Sequence, residues 1–456
     1  MLNVECGKFK IHNLKFNIIN SFIVEESTNL FSFFSFSDPN VRYVVLGSIL
    51  LTASSAIIGC FTFLRKRALI GDAVAHSVLP GICLAFILSG TKDPFILLIG
   101  AFITGALSVY LMDFITRNSR IKQDTAIGLL LSVFFGIGML LLTFIQQTGN
   151  AAQSGLDSFL FGKAASLVEE DVMVFGTVGI ILVTTVILLF KEFTLLSFDE
   201  HYARTIGLPI KALELTLTTL SVLAVIIGIQ AVGVVLMAAM LITPAAAARF
   251  WTNKLPVMIM IAAAMGAFSG VTGAYVSYLS PSMPTGPWIV LILSLVAFTS
   301  FLFAPKKGIF SQQILQRGHK NKILEENILK LFFHLGEKDH AYMNDWSIKD
   351  LLDKRPMAVG ELRKGLKRLD SQGYLIKAKG RWKLTPEGKE KGQRITRLHR
   401  LWEMYLTEYL RIAPDHVHED AEAMEHIITP ELEAKLEEQL KYPKVDPHNE
   451  NIPYKE

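Results

Sequence analysis

Cysteine is scarce: Cys6, Cys60 and Cys83 are the three in 456 residues. They are too few and too scattered for a disulfide framework, and Cys60 and Cys83 sit inside apolar runs, as buried thiols do. Residues 1–40 lack a basic start followed directly by an apolar core and a small-residue cleavage site, so no ordinary signal peptide is expected. A phosphate-binding Gly-x4-Gly-Lys-Ser/Thr loop is also missing. Gly162-Lys163 has the wrong spacing and no strand before it, so this chain is not expected to hydrolyse ATP or to act as an enzyme. Charge, finally, is nearly absent from long stretches before residue 305 and abundant after it.

What fills the uncharged part is apolar. Hydrophobic residues make up 51% of the chain, and they concentrate in nine segments at about 41–64, 73–90, 94–116, 124–146, 172–190, 211–229, 231–250, 255–278 and 286–304. A helix needs about 20 residues to cross the hydrocarbon core, so these are membrane spans. The second is weakened by Asp72, His76 and Pro80, and the sixth and seventh are parted only around Gln230, which leaves eight or nine spans. Lys and Arg cluster at 65–67, 117–122, 191–211, 249–254 and 306–307, and short basic loops face the cytoplasm. Nine alternating spans then place residues 1–40 outside and 305–456 inside. The long stretch 150–171 has room for a half-helix dipping into the membrane. Small residues such as Gly100, Gly105 and Ala106, and Ala245 to Ala248, suit close packing of several helices.

One segment carries chemistry. In Gly71-Asp72-Ala73-Val74-Ala75-His76-Ser77-Val78-Leu79-Pro80-Gly81, Asp72 and His76 are four apart and share a helix face. A carboxylate with an imidazole suits Mn²⁺, Fe²⁺ or Zn²⁺, and ionisable groups at membrane depth normally line a pathway. Pro80 would break the helix and free carbonyls for a cation. A plain alternative is that Asp72 caps the helix and His76 satisfies a carbonyl.

After Pro305-Lys306-Lys307 the chain divides as a basic linker at 305–322, a unit at 323–390 and a unit at 391–456. Residues 320–400 hold 20 Lys/Arg against 11 Asp/Glu, and 401–456 hold 5 against 14. The basic balance suits polyanions, and the acidic one, with its histidines, suits cations. Helical spacing runs from Ile323 to Leu335 and from Ile348 to Asp353. A third helix, opened by Pro356, reaches about Ser371 with Leu362, Leu366 and Leu369 inward, and Tyr374 to Leu384 reads as a hairpin around Lys379-Gly380. This is a winged helix-turn-helix pattern. Its DNA-binding candidates are Arg363, Lys364, Lys367 and Arg368 on the third helix, with Lys379 and Arg381 on the wing. In the acidic unit His399 and Glu403 are four apart, as are His418 and Glu422, and Glu425-His426 follow one turn later. Such spacing aims both members of a pair at one cation; each pair by itself also fits a solvated helix face.

Two family resemblances gather these features. The segment 71–81 resembles the signature of permease subunits of zinc, manganese and iron ABC importers. The likeness continues at Gly155-Leu156-Asp157-Ser158-Phe159-Leu160-Phe161-Gly162, at 197–209, at 231–236 and at Thr243-Pro244 to Arg249, covering about 41–304. It implies a permease that pairs with a second copy or a paralogue, takes metal from an extracytoplasmic binding protein and is driven by a separate ATPase subunit. It implies Asp72 and His76 as the metal path, and 197–209, with Asp199, Glu200, Arg204 and Gly207, as the loop helix that docks on the ATPase. The run Leu398 to Glu403 with Val417 to His426 resembles iron- and manganese-dependent repressors of the diphtheria toxin repressor type over about 323–445. That resemblance implies one metal site from His399, Glu403 and His418 and another from Glu422, Glu425 and His426 with Glu326. The start of the third helix, Pro356-Met357-Ala358-Val359-Gly360-Glu361, departs from that family's Ser/Thr-rich pattern and supplies poor DNA readers.

The expected architecture is an all-α polytopic bundle of eight or nine transmembrane helices, followed by a mainly α winged helix-turn-helix domain and a helical metal-binding and dimerisation domain. The expected place is a bacterial cytoplasmic membrane. The expected function is metal import by a permease carrying a metal sensor, with Mn²⁺, Fe²⁺ or Zn²⁺ as both substrate and regulatory ligand. The sensor either represses genes, with proteolytic release at the linker as one route, or gates transport. The alternatives are a membrane-tethered metal-responsive regulator with an inactive anchor and an importer of larger chelates.

Overall fold

The computed structural model describes residues 32–67, 69–91, 93–147, 162, 164, 167–279, 283–337, 341–413, 426 and 428–454. It separates into two compact units, Met1–Ser311 and Gln312–Glu456.

Every described secondary-structure element of the first unit is a helix. Its elements are α1 (Pro39–Leu64), α2 (Ile70–Ser77), α3 (Leu79–Ser89), α4 (Pro94–Asn118), α5 (Gln123–Gln147), α6 (Glu169–Leu188), α7 (Phe190–Phe198), α8 (Glu200–Thr205), α9 (Ile210–Val232), α10 (Val234–Trp251), α11 (Leu255–Leu279) and α12 (Thr285–Phe303). Among the described residues nine spans are long and apolar enough to cross a membrane, α2 and α3 together forming one of them. Aspartates cap two entries, each followed by proline at the first helical position. Asp38 accepts from the Asn40 amide before α1, and Asp93 from the Phe95 amide before α4.

The helices sort into inner and outer positions. The spans formed by α1, α2–α3 and α9 are mostly buried, with α1 packed on α6, α9, α10 and α11. The outer faces of α4, α5, α6 and α12 are studded with exposed apolar side chains, among them Ile103, Leu140, Phe144, Leu188 and Phe298. So large an apolar surface is what lipid covers. Glycine permits close approach: a Cβ at Gly81 of α3 would stand 2.1 Å from the Gly100 carbonyl oxygen of α4. The sixth and seventh spans part at Gly233, φ +88°, and not around Gln230. Glycine is needed there because a side chain disfavours a positive φ.

The second unit begins within α13 (Ile309–Glu337) and continues with α14 (Ile348–Lys354), α15 (Val359–Ser371), the antiparallel strands β1 (Leu375–Ala378) and β2 (Arg381–Leu384), α16 (Pro386–Leu410) and α17 (Pro430–Gln439). The stretch read as a basic linker, 305–322, is helical from Ile309 onward. Its polar residues hid a helix whose apolar stripe becomes regular only after Ile323. The third helix starts at Val359, and Pro356 lies outside its first turn. Leu362, Leu366 and Leu369 of α15 are buried with Ile328, Leu329 and Phe332 of α13 and with Trp382. Lys379 (φ +49°) and Gly380 (φ +80°) make the two-residue turn between the strands.

Candidate functional site

In the membrane unit the second span is bent into two helices. Val78 separates α2 from α3, and Pro80 occupies the first turn of α3. A proline has no amide hydrogen, so the His76 carbonyl loses its intrahelical donor. Asp72 lies inside α2, whose N-cap is Leu69, so the capping alternative does not hold. Instead its Oδ1 stands 3.5 Å from His76 Nε2. His76 Nδ1 is buried without a hydrogen-bond partner among the described residues, and the Phe135 ring meets the imidazole edge-on at 5.0 Å. The helix carrying the pair is held by α4, α5, α9 and α10. Ser77 Oγ, 2.8 Å from Ser108 Oγ, fixes it to α4.

A second feature of this unit has no local signature in the sequence. Glu214 of α9 is an ion-pair hub for Arg65, for Arg67 at 3.6 Å and for Arg117 at 3.5 Å, and Arg67 also reaches Asp113 at 3.8 Å. These cations come from the end of α1, the α1–α2 connection and the end of α4. The hub therefore ties α9 to the residues that lead into Asp72.

The loop at 197–209 is the short helix α8. Asp199 caps it by accepting from the Tyr202 amide at 2.8 Å, and Glu200 pairs with Arg204 at 2.9 Å. Gly207, φ +82°, ends it, with the Leu208 amide donating to the Ala203 carbonyl at 3.1 Å. Ala203 is buried while Phe198, Tyr202 and Ile206 are exposed beside the charges. The helix is anchored on one side and offers a mixed apolar and charged surface on the other.

In the second unit, one pair of sequence-predicted ligands separated by 100 residues comes together: His426 Nδ1 is 2.6 Å from Glu326 Oε2, with Lys322 Nζ 3.8 Å from the other carboxylate oxygen. His399 and Glu403 face each other on α16, Nε2 to Oε1 at 3.1 Å, with side chains 4% and 2% exposed. His418, Glu422 and Glu425 lie outside the described residues. Beside His399 stands a residue that the sequence reading passed over: Lys330 of α13, 3% exposed, with Nζ 3.2 Å from His399 Nδ1. Its signal was a lysine within Ile328-Leu329-Lys330-Leu331-Phe332, on the face that packs inward. One turn on, His334 is pushed down to about 4, first by burial and then by the charges of Arg400 and Lys330. Arg400 is buried too. It holds Glu337 through two bonds of 2.6 and 2.9 Å, reaches Asp446 at 3.5 Å and pairs with Glu450.

Of the six DNA-binding candidates, Arg363, Lys364 and Lys367 are exposed on α15, and Lys379 and Arg381 are exposed on the hairpin. Arg368 departs from them, because it turns back toward Glu325 of α13 at 3.8 Å.

Residues 37–304 match the family model described as the ABC 3 transport family. Residues 385–454 match that of the iron dependent repressor, metal binding and dimerisation domain. The manganese transport system membrane protein MntC of Bacillus subtilis is 41% identical over 376 residues, 82% of this chain and 86% of that protein. The zinc transport system membrane protein TroC of Treponema pallidum is 42% identical over 291 residues, 64% of this chain and 97% of that protein. Among solved structures, PsaBC from Streptococcus pneumoniae in complex with Fab is 32% identical, with a TM-score of 0.55, covering 61% of this chain and 97% of that one.

Proposed function

Because the chain belongs to the ABC 3 transport family, we propose that it is the transmembrane permease of an importer for divalent transition metals, with Asp72 and His76 receiving the ion. The observation that carries this is the His76–Asp72 pair on a short, broken helix inside the bundle, with a buried ring nitrogen and a proline-freed carbonyl beside it. An imidazole, a carboxylate and a carbonyl can replace part of a dehydrated cation's water shell. The substrate is Mn²⁺, Zn²⁺ or Fe²⁺. The relatives named for manganese and for zinc support a bare ion over a chelate.

ATP hydrolysis falls to a separate subunit, which docks on α8 through Asp199, Glu200 and Arg204, with Gly207 setting the turn into α9. An extracytoplasmic protein delivers the metal, and a second permease copy or a paralogue completes the pore. The second unit is cytoplasmic, consistent with the basic loops, and senses imported metal. Glu326 and His426 fit a divalent cation, since a carboxylate and an imidazole meet there from distant parts of the chain. When bound, the metal would link α13 to the residues around His426. Glu422 and Glu425 are further ligands by their place in the sequence. The exposed cations Arg363, Lys364, Lys367, Lys379 and Arg381 suit a nucleic-acid backbone, and the output is repression or control of transport.

The test reconstitutes the permease with its ATPase and binding protein in liposomes and measures ATP-dependent uptake of radioactive Mn²⁺, with Zn²⁺ and Fe²⁺ as competitors. Asp72→Asn should abolish uptake while the complex still assembles. Wild-type uptake in that variant would remove Asp72 from the path, whereas no ATP-dependent uptake by the wild-type complex would favour the inactive-anchor alternative.

A further inference from the structure

Resting on the sensor reading of the second unit, we propose that the ammonium of Lys330 takes the place of a metal ion at the His399–Glu403 pair, so that this pair does not load metal and sensing runs through the Glu326–His426 side. A lysine has three donors and no acceptor, so its 3.2 Å contact with His399 Nδ1 is a donation into that nitrogen's lone pair. A neutral imidazole then carries its hydrogen on Nε2, which is the atom 3.1 Å from Glu403 Oε1. The three groups form one directed chain, from Lys330 to His399 to Glu403.

A metal needs a free lone pair on the ring. At Nδ1 the lone pair is held by Lys330, and at Nε2 a hydrogen faces Glu403. Charge leads to the same conclusion. The ammonium held against Nδ1 repels a divalent ion that approaches the pair. All three side chains are almost fully buried, so solvent is not there to screen a divalent ion from the ammonium. The Glu326–His426 pair is different. Its neighbouring lysine, Lys322, is largely exposed and stands 3.8 Å from the carboxylate, where it can swing into water.

The experiment uses the full chain in lipid nanodiscs and Mn²⁺ alone as the probe, with free Mn²⁺ read from its electron paramagnetic resonance signal. Wild type is compared with Lys330→Met, His399→Ala, His426→Ala and the Lys330→Met/His399→Ala double variant, so that ions bound elsewhere cancel in the differences. The expected result is one additional Mn²⁺ per chain in Lys330→Met. That ion disappears in the double variant, and His399→Ala alone binds as wild type does. Lys330→Gln, which keeps a polar group at the site, replaces the methionine variant if the latter does not fold. The inference alone is overturned if His426→Ala loses an ion but Lys330→Met gains none, or if His399→Ala loses one in the otherwise wild-type chain. Binding unchanged by His426→Ala overturns the sensor reading of that side and, with it, the inference that rests on it.

Discussion

Replacing Glu214 by Gln removes the carboxylate on which Arg65, Arg67 and Arg117 converge while keeping the side-chain shape. The three contacts are unequal. The Arg65 side chain is 7% exposed and Arg67 20%, whereas Arg117 is 59% exposed. The exposed pair contributes under about 1 kcal/mol. Removing one partner of a buried pair costs about 3–5 kcal/mol, because a desolvated charge is left without compensation. The loss should therefore fall mainly on the grip between α9 and the α1–α2 connection. That connection ends just before the helix bearing Asp72, and α9 begins shortly after α8. If α8 receives the ATPase stroke, the hub lies on the route to the metal site. In proteoliposomes, Glu214→Gln should lower the melting temperature by several degrees and cut Mn²⁺ uptake at least about tenfold, with ATP hydrolysis reduced much less. Glu214→Asp should recover part of both. Wild-type melting together with wild-type uptake would refute the hub as a mechanical link.

Two further outcomes can be checked on the purified chain. His334 has its folded pKa held near 4 by burial, against about 6.5 when unfolded. Its contribution is thus intact above pH 6.5 and is lost as pH falls toward 4. The size is about 3 kcal/mol, read as the part of the acid destabilisation of the second unit that His334→Phe removes; an identical pH profile in that variant would count against it. Gly81→Ala would set a methyl 2.1 Å from the Gly100 carbonyl oxygen and 2.2 Å from Thr104 Oγ1. It should cost about 1–3 kcal/mol and reduce uptake, whereas Gly128→Ala, with nothing within 4 Å, should melt and transport like wild type.

The membrane spans were legible because a run of about 20 apolar residues has one economical state in lipid, a helix with every backbone group paired internally. The bend between α2 and α3 was legible for an equally local reason, since a proline removes a hydrogen bond wherever the chain goes. Boundaries were less so. Gly233 takes the break expected around Gln230 because positive φ, and not hydropathy, ends α9. The helix beginning at Ile309 was hidden by a polar stretch whose helicity does not depend on an apolar stripe. Arg368 shares α15 with Arg363, Lys364 and Lys367, yet turns toward Glu325 because α13 packs beside it.

By itself, then, the sequence determined the two-part chemistry of the chain, its spans and the four-residue pairings of Asp72 with His76 and of His399 with Glu403. Those follow from the fixed pitch of a helix, which sets near neighbours without reference to the rest of the fold. Tertiary structure alone decided that Glu326 meets His426, that Glu214 gathers three arginines and that a buried Lys330 stands against His399. These contacts join residues far apart in the chain, and only the packing of one helix face on another selects them from the many carboxylates, rings and cations that the sequence offers.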